Sequence, residues 1–322
     1  MSSEAVEAIF RYSAYHRRPL MCIPSKNQVD YAGGYVNRWT TREFAEFVTS
    51  MRGRYPESEV RICRDHCGPG FNGTSELADT YRTIEADIEC GFDLIHIDFC
   101  HYPGTREERL EAARKAVEHC LSRNPNISLE IGTDENEGMN FSISTMSELE
   151  EEISYFRRFC SPAFYVVQTG TLVRELSQVG QFNSGFIREV REVLRAHGLR
   201  LKEHNADYLS AKEIGRRKGL VDAMNIAPQL GAIQTGLVLT KCLVYGVDSA
   251  SFIDEVYRSG KWRKWLRNHG DGDPYLCANI AGHYVYTGDS YRRMIEQLER
   301  HEDIHETIIN EHMRLIEHYD WK

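Results

Sequence analysis

The sequence predicts an α/β protein that folds as a TIM-type (β/α) barrel with a helical C-terminal extension. Short apolar segments rich in β-branched residues alternate along the chain with amphipathic segments of helical length. Strands this short and apolar indicate a parallel sheet covered by helices, and spacings of roughly 30–40 residues favour a closed barrel. We identify seven candidate strands, at residues 20–24, 60–63, 94–98, 127–131, 164–168, 199–203 and 221–226.

Local signals mark the starts of several helices. A Ser or Thr followed three residues later by Glu is typical of a helix start, because the two side chains satisfy each other's backbone N–H groups. This pattern begins at Thr40, Thr105, Thr145 and Ser210. Residues 1–18 precede the first candidate strand and have the apolar spacing of a helix, so we expect the usual first strand of a barrel to be missing.

We place the barrel at residues 1–253 and a helical extension packed on it at residues 254–322. From about residue 254 the pattern becomes helical and rich in aromatic residues. A seven-stranded sheet leaves unpaired backbone groups at both edges, and these must be covered or paired. The N-terminal helix, the C-terminal helices or a second subunit are the candidate covers, and we expect a homo-oligomer.

Composition points to a small-molecule ligand. The chain has 322 residues, a hydrophobic content of 41% and a formal net charge of −9. Basic residues are interleaved with acidic ones, which argues against a nucleic-acid or anionic-membrane surface. No apolar run reaches the ~18–20 residues of a membrane span, and the first residues lack the order of a signal peptide. We therefore predict a cytoplasmic protein with no nucleic-acid or membrane partner.

Polar side chains collect where the predicted strands end, which is where barrels of this type carry their reactive residues. Two imidazoles, a carboxylate and an amide on different strands suit a divalent metal such as zinc, with one position open to substrate. Each residue taken alone also fits an ordinary hydrogen-bonded polar group. The polar residues at the strand ends are Asn27, Gln28, Asp65, His66, Asp98, His101, Glu130, Gln168, Glu203, His204 and Asn225.

Seven motifs resemble, in order and spacing, the class II tagatose-bisphosphate aldolase accessory chain and its relatives. Those relatives include ketose-6-phosphate 4-epimerases and, more distantly, class II fructose-bisphosphate aldolases. The resemblance extends from roughly Val6 to the C-terminal end and is strongest in the motifs themselves. The seven motifs are SKNQVDYAGGY at 25–35, DHCGP at 65–69, IHID at 95–98, EIGT at 130–133, VVQ at 166–168, EHNADY at 203–208 and MNI at 224–226.

This resemblance implies a metal-dependent barrel that makes or breaks a carbon–carbon bond beside a ketose carbonyl. It places the metal on His66 and His204, and it makes Asp65 the acid that exchanges a proton with the C4 hydroxyl. Asp98 and Glu130 match the acids of a second metal position. In full, we predict Asp65, Asp98 and Glu130 as catalytic, Asn27, Gln28, His101, Glu203 and Asn225 as substrate-binding, and His66, Glu130, Gln168 and His204 as metal ligands.

The chain departs from the aldolases at three places. Gln168 stands where they carry a further zinc-binding histidine, as it does in the accessory-chain branch. Residues 205–207 replace their phosphate-binding loop, and Asp207 there would repel a phosphate. Residues 227–229 likewise stand where the aldolases carry hydroxyl-bearing residues around the phosphate, so an aldolase-like grip on a 1-phosphate is not expected.

We therefore predict a carbon–carbon lyase or epimerase of carbohydrate metabolism, acting on a sugar or sugar phosphate by retro-aldol cleavage. Its divalent metal would be zinc, with manganese or cobalt as alternatives. Departure of the aldehyde fragment gives an aldolase, whereas its re-addition on the other face gives a 4-epimerase. The alternative is a non-catalytic accessory subunit of a class II aldolase, which Gln168 favours and which Asp65, His66 and His204 oppose.

Overall fold

The computed structural model describes residues 2–133, 146–267 and 272–320. Seven strands form one parallel sheet in the order β1-β2-β3-β4-β5-β8-β9. The seven predicted strands are confirmed, while the two-stranded antiparallel hairpin β6-β7 was not predicted. The strands are β1 Leu20–Cys22, β2 Val60–Cys67, β3 Leu94–Ile97, β4 Ser128–Thr133, β5 Phe164–Val167, β6 Val173–Arg174, β7 Ser177–Gln178, β8 Arg200–Glu203 and β9 Ala223–Met224.

Helices connect the strands and continue beyond the last one. The predicted capping pattern is confirmed at Thr40, Thr105 and Ser210, where both reciprocal hydrogen bonds form. The fourth predicted start, Thr145, lies outside the described residues. The helices are α1 Ser3–His16, α2 Thr41–Arg54, α3 Leu77–Glu89, α4 Arg106–Arg123, α5 Met146–Phe156, α6 Ser184–Ala196, α7 Ala211–Arg217, α8 Pro228–Tyr245, α9 Ala250–Ser259, α10 Pro274–Ala281, α11 Asp289–Leu298 and α12 Ile304–Tyr319.

Alternation along the strands separates two faces of the curled sheet. On β3, Ile95 and Ile97 belong to the large core between sheet and helices. Leu94 instead packs with Cys63 and Phe164 in a small cluster on the other face. Side chains at the even positions of β3 therefore point to the concave face, and this face carries the candidate site.

The two edge strands, β1 and β9, do not pair with each other within residues 2–133, 146–267 and 272–320. We call the gap between them the seam. Helices α1 and α12 pack together over it, and Arg11 on α1 pairs with Glu306 on α12. A mainly apolar cavity of about 270 Å³ remains in the seam, lined by both edge strands and by Ile9, Ile316 and Tyr319. Of the three candidate covers, the N-terminal and C-terminal helices therefore lie over the seam.

A second core lies among the C-terminal helices. It joins α8 to α9, α10 and α11 around Trp262, which is fully buried. The predicted boundary between residues 253 and 254 falls inside α9, and the division into two domains stays a prediction. Within the described ranges, no helix has the length and apolar character that crossing a bilayer requires.

Candidate active site

Four side chains from β2, β3 and the end of β8 converge on the concave face of the sheet. Asp65, His66, His96 and His204 each offer one ligand atom, and these atoms lie within 4.8 Å of one another. The centroids of the three imidazole rings form a triangle with sides of 5.1, 5.2 and 5.3 Å. We call these four residues the histidine cluster.

Asp65 is surrounded by the three imidazoles. Its carboxylate oxygens lie 3.4 Å from Nδ1 of His96, 3.7 Å from Nε2 of His66 and 3.9 Å from Nε2 of His204. The side chains of Asp65 and His66 remain 12% and 18% exposed, whereas His96 and His204 are buried. The cluster is therefore open to solvent on the side of Asp65 and His66.

An irregularity in β2 allows two consecutive residues to face the same site. In a regular strand Asp65 and His66 would point to opposite faces of the sheet. The register between β2 and β3 shifts between Arg64 and Cys67, and His66 has a positive φ of 47°. Such an irregularity re-aims a side chain, and left-handed backbone at a residue other than glycine is concentrated at functional sites.

Hydrogen bonds to a second layer of groups orient two of the imidazoles. The Nδ1–H of His66 donates to Asp98 at 2.8 Å, and the Nε2–H of His96 donates to the carbonyl oxygen of Gly132 at 2.8 Å. A carbonyl oxygen only accepts, so neutral His96 carries its lone pair on Nδ1, where the backbone N–H of His66 lies at 3.2 Å. Metal-binding histidines are oriented by partners of this kind.

Gly132 can present its carbonyl because it has no side chain. Its φ is 100°, and a Cβ atom there would lie 2.2 Å from the carbonyl oxygen of Val166 on β5. Any larger residue would have to displace β5 or abandon this backbone conformation. Gly132 therefore contributes to the orientation of His96.

Glu130 links the histidine cluster to a buried lysine. Its Oε1 accepts from Nε2 of His204 at 2.9 Å, and its Oε2 accepts from Nζ of Lys202 at 2.6 Å. Both Glu130 and Lys202 are at most 1% exposed. Glu130 is thus an anion shared between an imidazole and an ammonium group, which occupies both oxygens of a residue predicted to be a metal ligand.

The acidic groups of the site are ionised despite their burial. Burial raises the pKa of Asp65, but the charge of facing imidazoles that carry a proton outweighs it and holds that pKa far below its usual value. Burial is likewise outweighed at Asp98 by the hydrogen bond from His66 and at Glu130 by the charge of Lys202, so both have a pKa of about 2. Three carboxylates face one ammonium, which leaves two negative charges when the imidazoles are neutral.

A divalent cation fits this arrangement. Two uncompensated charges in a largely buried site are costly, and a dication would neutralise them. Oδ1 of Asp65 lies 3.4 Å from Nδ1 of His96, whose lone pair accepts from the backbone N–H of His66. Imidazole nitrogens with a carboxylate oxygen are ligands that suit zinc and similar ions.

The remaining predicted residues lie in different surroundings. Glu203 accepts from Nε of Arg217 at 2.6 Å and from the hydroxyl of Thr169, so its carboxylate is held by protein groups. Gln168 accepts from the backbone N–H of Gly170 at 2.9 Å. Asn225 follows β9 and is 6% exposed. The roles predicted for these residues remain predictions.

Three predicted substrate contacts lie in the loops after β1 and β3. Asn27 is exposed, while the Oε1 of Gln28 accepts from the backbone N–H of Ser25 at 2.9 Å. His101 is exposed and lies with its ring 4.8 Å from that of Phe71, which stacks on His66. His101 is therefore linked to the histidine cluster through one aromatic ring.

Two residues of the site, His96 and Lys202, were not predicted. Both lie inside predicted strand segments, and for His96 a strict period of two places the side chain on the concave face. Leu94, His96 and Asp98 alternate with Ile95 and Ile97, which is a visible signal. His96 supplies the third imidazole of a site for which Gln168 had been the predicted third ligand.

No protein-family model matches the chain. Among solved structures it is similar to a probable tagatose 6 phosphate kinase from Sinorhizobium meliloti 1021, with a TM-score of 0.78 and 15% identity over 98% of this chain and 96% of that one. It is similar to a fructose-bisphosphate aldolase from Campylobacter jejuni, with a TM-score of 0.63 and 14% identity over 99% and 87%.

A fructuronate-tagaturonate epimerase from Cohnella laeviribosi is also similar, with a TM-score of 0.56 and 10% identity over 99% of this chain and 80% of that chain. At identities this low, the likeness concerns the fold. The chain therefore has the parallel α/β fold that an aldolase and a sugar-acid epimerase also have, and it carries an Asp-His cluster at the carboxyl end of its strands.

Proposed function

We propose that the chain is a metal-dependent aldolase or ketose 4-epimerase that cleaves a carbon–carbon bond of a sugar by a retro-aldol step. The observation that carries this proposal is the histidine cluster, in which three imidazoles surround one carboxylate. The fold neighbours support a ketose as substrate, since their names refer to tagatose, fructose or their acids. The motif resemblance adds kinship with the class II tagatose-bisphosphate aldolase group.

Three imidazoles would hold the metal in this proposal. His66, His96 and His204 would be the ligands and zinc, manganese or cobalt the ion, which would compete with the hydrogen bonds that Nδ1 of His96 and Nε2 of His204 make in its absence. When bound, the ion supplies Lewis-acid polarisation of the substrate carbonyl, which is worth several kcal/mol in reactions of this class. Asp98 and the carbonyl of Gly132 keep two of these imidazoles in the orientation that the site requires.

Asp65 is the proton-transfer group. Its carboxylate is ionised, is partly exposed and lies at the accessible side of the cluster. It can therefore accept the proton of a substrate hydroxyl as the neighbouring carbon–carbon bond breaks, and return it when the bond re-forms. Lys202 keeps Glu130 ionised and adds a fixed positive charge beside the reacting groups.

The competing function is a non-catalytic accessory subunit. The substitution of Gln168 for a histidine favoured it, but His96 provides a third imidazole from another strand. A scaffold has no need for an accessible ionised carboxylate inside a ring of oriented imidazoles. We therefore favour an enzyme over a non-catalytic accessory subunit.

Purified protein incubated with a panel of ketoses and ketose phosphates tests the proposal. We expect one roughly stoichiometric divalent ion, turnover that a chelator abolishes, and recovery when zinc, manganese or cobalt is returned. His119→Ala is a matched control, because His119 faces Glu85 on the outer helices. Turnover that survives complete metal removal would contradict the mechanism, and a metal-free, inactive native protein would favour the accessory subunit.

A further inference from the structure

The amino end of α8 is occupied by a carboxylate from a different loop. Oδ1 of Asp207 accepts from the backbone N–H groups of Ala227 and Gln229, each at 2.9 Å. Ala227 is the residue at the helix start and makes no capping hydrogen bond with its own side chain. Asp207, which follows β8, therefore takes the place of the missing cap.

This position is the natural anion site of such a fold. Backbone N–H groups at a helix start point toward a ligand, and the helix dipole favours negative charge there. Barrels of this type often bind phosphate at a helix start beside their last strands. α8 is 18 residues long and directly follows β9, the last strand of the sheet.

In the described part of the chain, the start of α8 lacks a cationic side chain that could support a second anion. Among the described residues no Lys or Arg donates to Asp207, and the first turn of α8 carries no charged residue. Burial raises the pKa of Asp207 to about 7, against the lowering effect of the backbone N–H groups. A phosphate entering here would meet a carboxyl group without a counter-charge.

Two buried polar atoms in this corner lack hydrogen-bond partners within the described part of the chain. They are Oδ2 of Asp207 and Nδ2 of Asn225, an acceptor and a donor. The loops that carry them are joined, since the N–H of Ala206 donates to the carbonyl of Asn225 at 3.0 Å. A hydroxyl group both donates and accepts, so it matches such a pair better than a phosphate, which at neutral pH chiefly accepts.

We propose that Asp207 is a specificity-determining residue that closes the anion site at the start of α8 and restricts the substrate to a ketose whose end at this corner is an unphosphorylated hydroxyl. This proposal rests on the proposed function for the identity of the substrate as a ketose. The occupation of the helix start by Asp207 does not depend on that function. Binding of inorganic phosphate and turnover therefore test different parts of it.

The binding experiment uses inorganic phosphate on the full chain, with and without chelator, so that uptake by the metal site is recognised. Asp207→Ala frees the two N–H groups and should bind phosphate at least about tenfold more tightly than the unsubstituted protein, by calorimetry or thermal shift. Asp303→Ala is the matched control: it removes the cap at the start of α12, where Asp303 accepts from the N–H of Glu306 at an exposed site. The control should gain no phosphate binding.

Two results would overturn the proposal. One is phosphate binding by the unsubstituted, chelated protein that equals that of Asp207→Ala; the other is a kcat/KM for a ketose phosphate above that for the free ketose. Asp207→Asn is the second variant, for use if Asp207→Ala fails to fold, because it keeps an acceptor for α8 and removes the charge. This variant should raise the ratio of kcat/KM for a phosphorylated ketose to kcat/KM for the free ketose by about tenfold. An unchanged ratio would contradict the specificity role of Asp207. Failure of turnover with every ketose would contradict the proposed function and leave the binding result to decide on Asp207.

Discussion

Asp65 and Asp207 are both carboxylates at the carboxyl edge of the same sheet, and burial raises the pKa of both. Around Asp65 three imidazoles reverse that effect and keep the carboxylate ionised. Around Asp207 only backbone N–H groups oppose it, and the pKa rises to about 7. The comparison shows that the neighbours of a buried acid decide its state: the first corner holds ionised carboxylates and is arranged to receive a cation, while the second holds a carboxyl group that titrates near neutral pH and already occupies the helix start.

The largest effect is expected when an imidazole of the histidine cluster is removed. His66→Ala and His96→Ala should each lose the bound metal, and with it activity by something on the order of 10⁴-fold, because the Lewis acid disappears. Metal content by mass spectrometry and turnover are measured on the same samples. His119→Ala should change neither, and full metal content in both cluster variants would show that the metal site is misplaced.

Removing the charge of Asp65 tests whether this residue acts as a metal ligand or as the general base. Asp65→Asn should keep the metal and the fold but lose turnover by roughly 10²–10⁴-fold, the range typical of a general base. Metal stoichiometry and kcat are the two readouts. Loss of the metal in this variant would make Asp65 a ligand and would require another proton acceptor.

Glu203 is a third buried carboxylate, and it is paired with the buried guanidinium group of Arg217. Glu203→Gln leaves Arg217 without its counter-charge and should destabilise the protein by roughly 3 kcal/mol, because an unpaired buried charge is costly. Denaturant unfolding measures this, and KM should stay within about twofold. A large rise in KM with unchanged stability would instead support the predicted substrate-binding role of Glu203.

The last effect concerns pH and is spread over several pH units. The folded-state pKa of Asp207 lies above the ordinary value of 3.8, so its protonation favours the folded state and this contribution is lost as pH rises from about 4 through about 7. Asp207→Asn lacks this loss. At about 1.4 kcal/mol per pKa unit, the unsubstituted protein should lose up to about 4 kcal/mol relative to the variant between pH 4 and pH 8. If the free energy of unfolding changed with pH in the same way in both proteins, the raised pKa of Asp207 would be contradicted.

Much of the fold could be predicted from the sequence. The seven strands stand out because each is a short apolar segment between helices with strong start signals, and three capping patterns form as expected. The hairpin β6-β7 was missed because each of its strands has only two residues and its sequence lacks an apolar period. Short antiparallel pairs of this kind depend on tertiary contacts.

The site could be predicted only in part. Asp65 and His66 were found because two reactive residues end a strand before a glycine-rich loop. His96 was missed because its neighbours on both sides are core residues, and a single histidine in such a run is easily taken for a buried one. Lys202 and Glu203 lie side by side on β8, and only the register decides which of them faces the concave side.

The seam has a consequence for folding order. Its cover joins α1 to α12 through pairs such as Arg11–Glu306, which are 295 residues apart in sequence, whereas neighbouring strands pair over far shorter separations. Contacts between distant segments carry the largest loop-closure cost and tend to form late. We expect the β2–β5 region to form first and α12 to dock last, so that amide hydrogen exchange in α12 is faster than in β3 and β4. Equal protection of α12 and β4 would contradict this order.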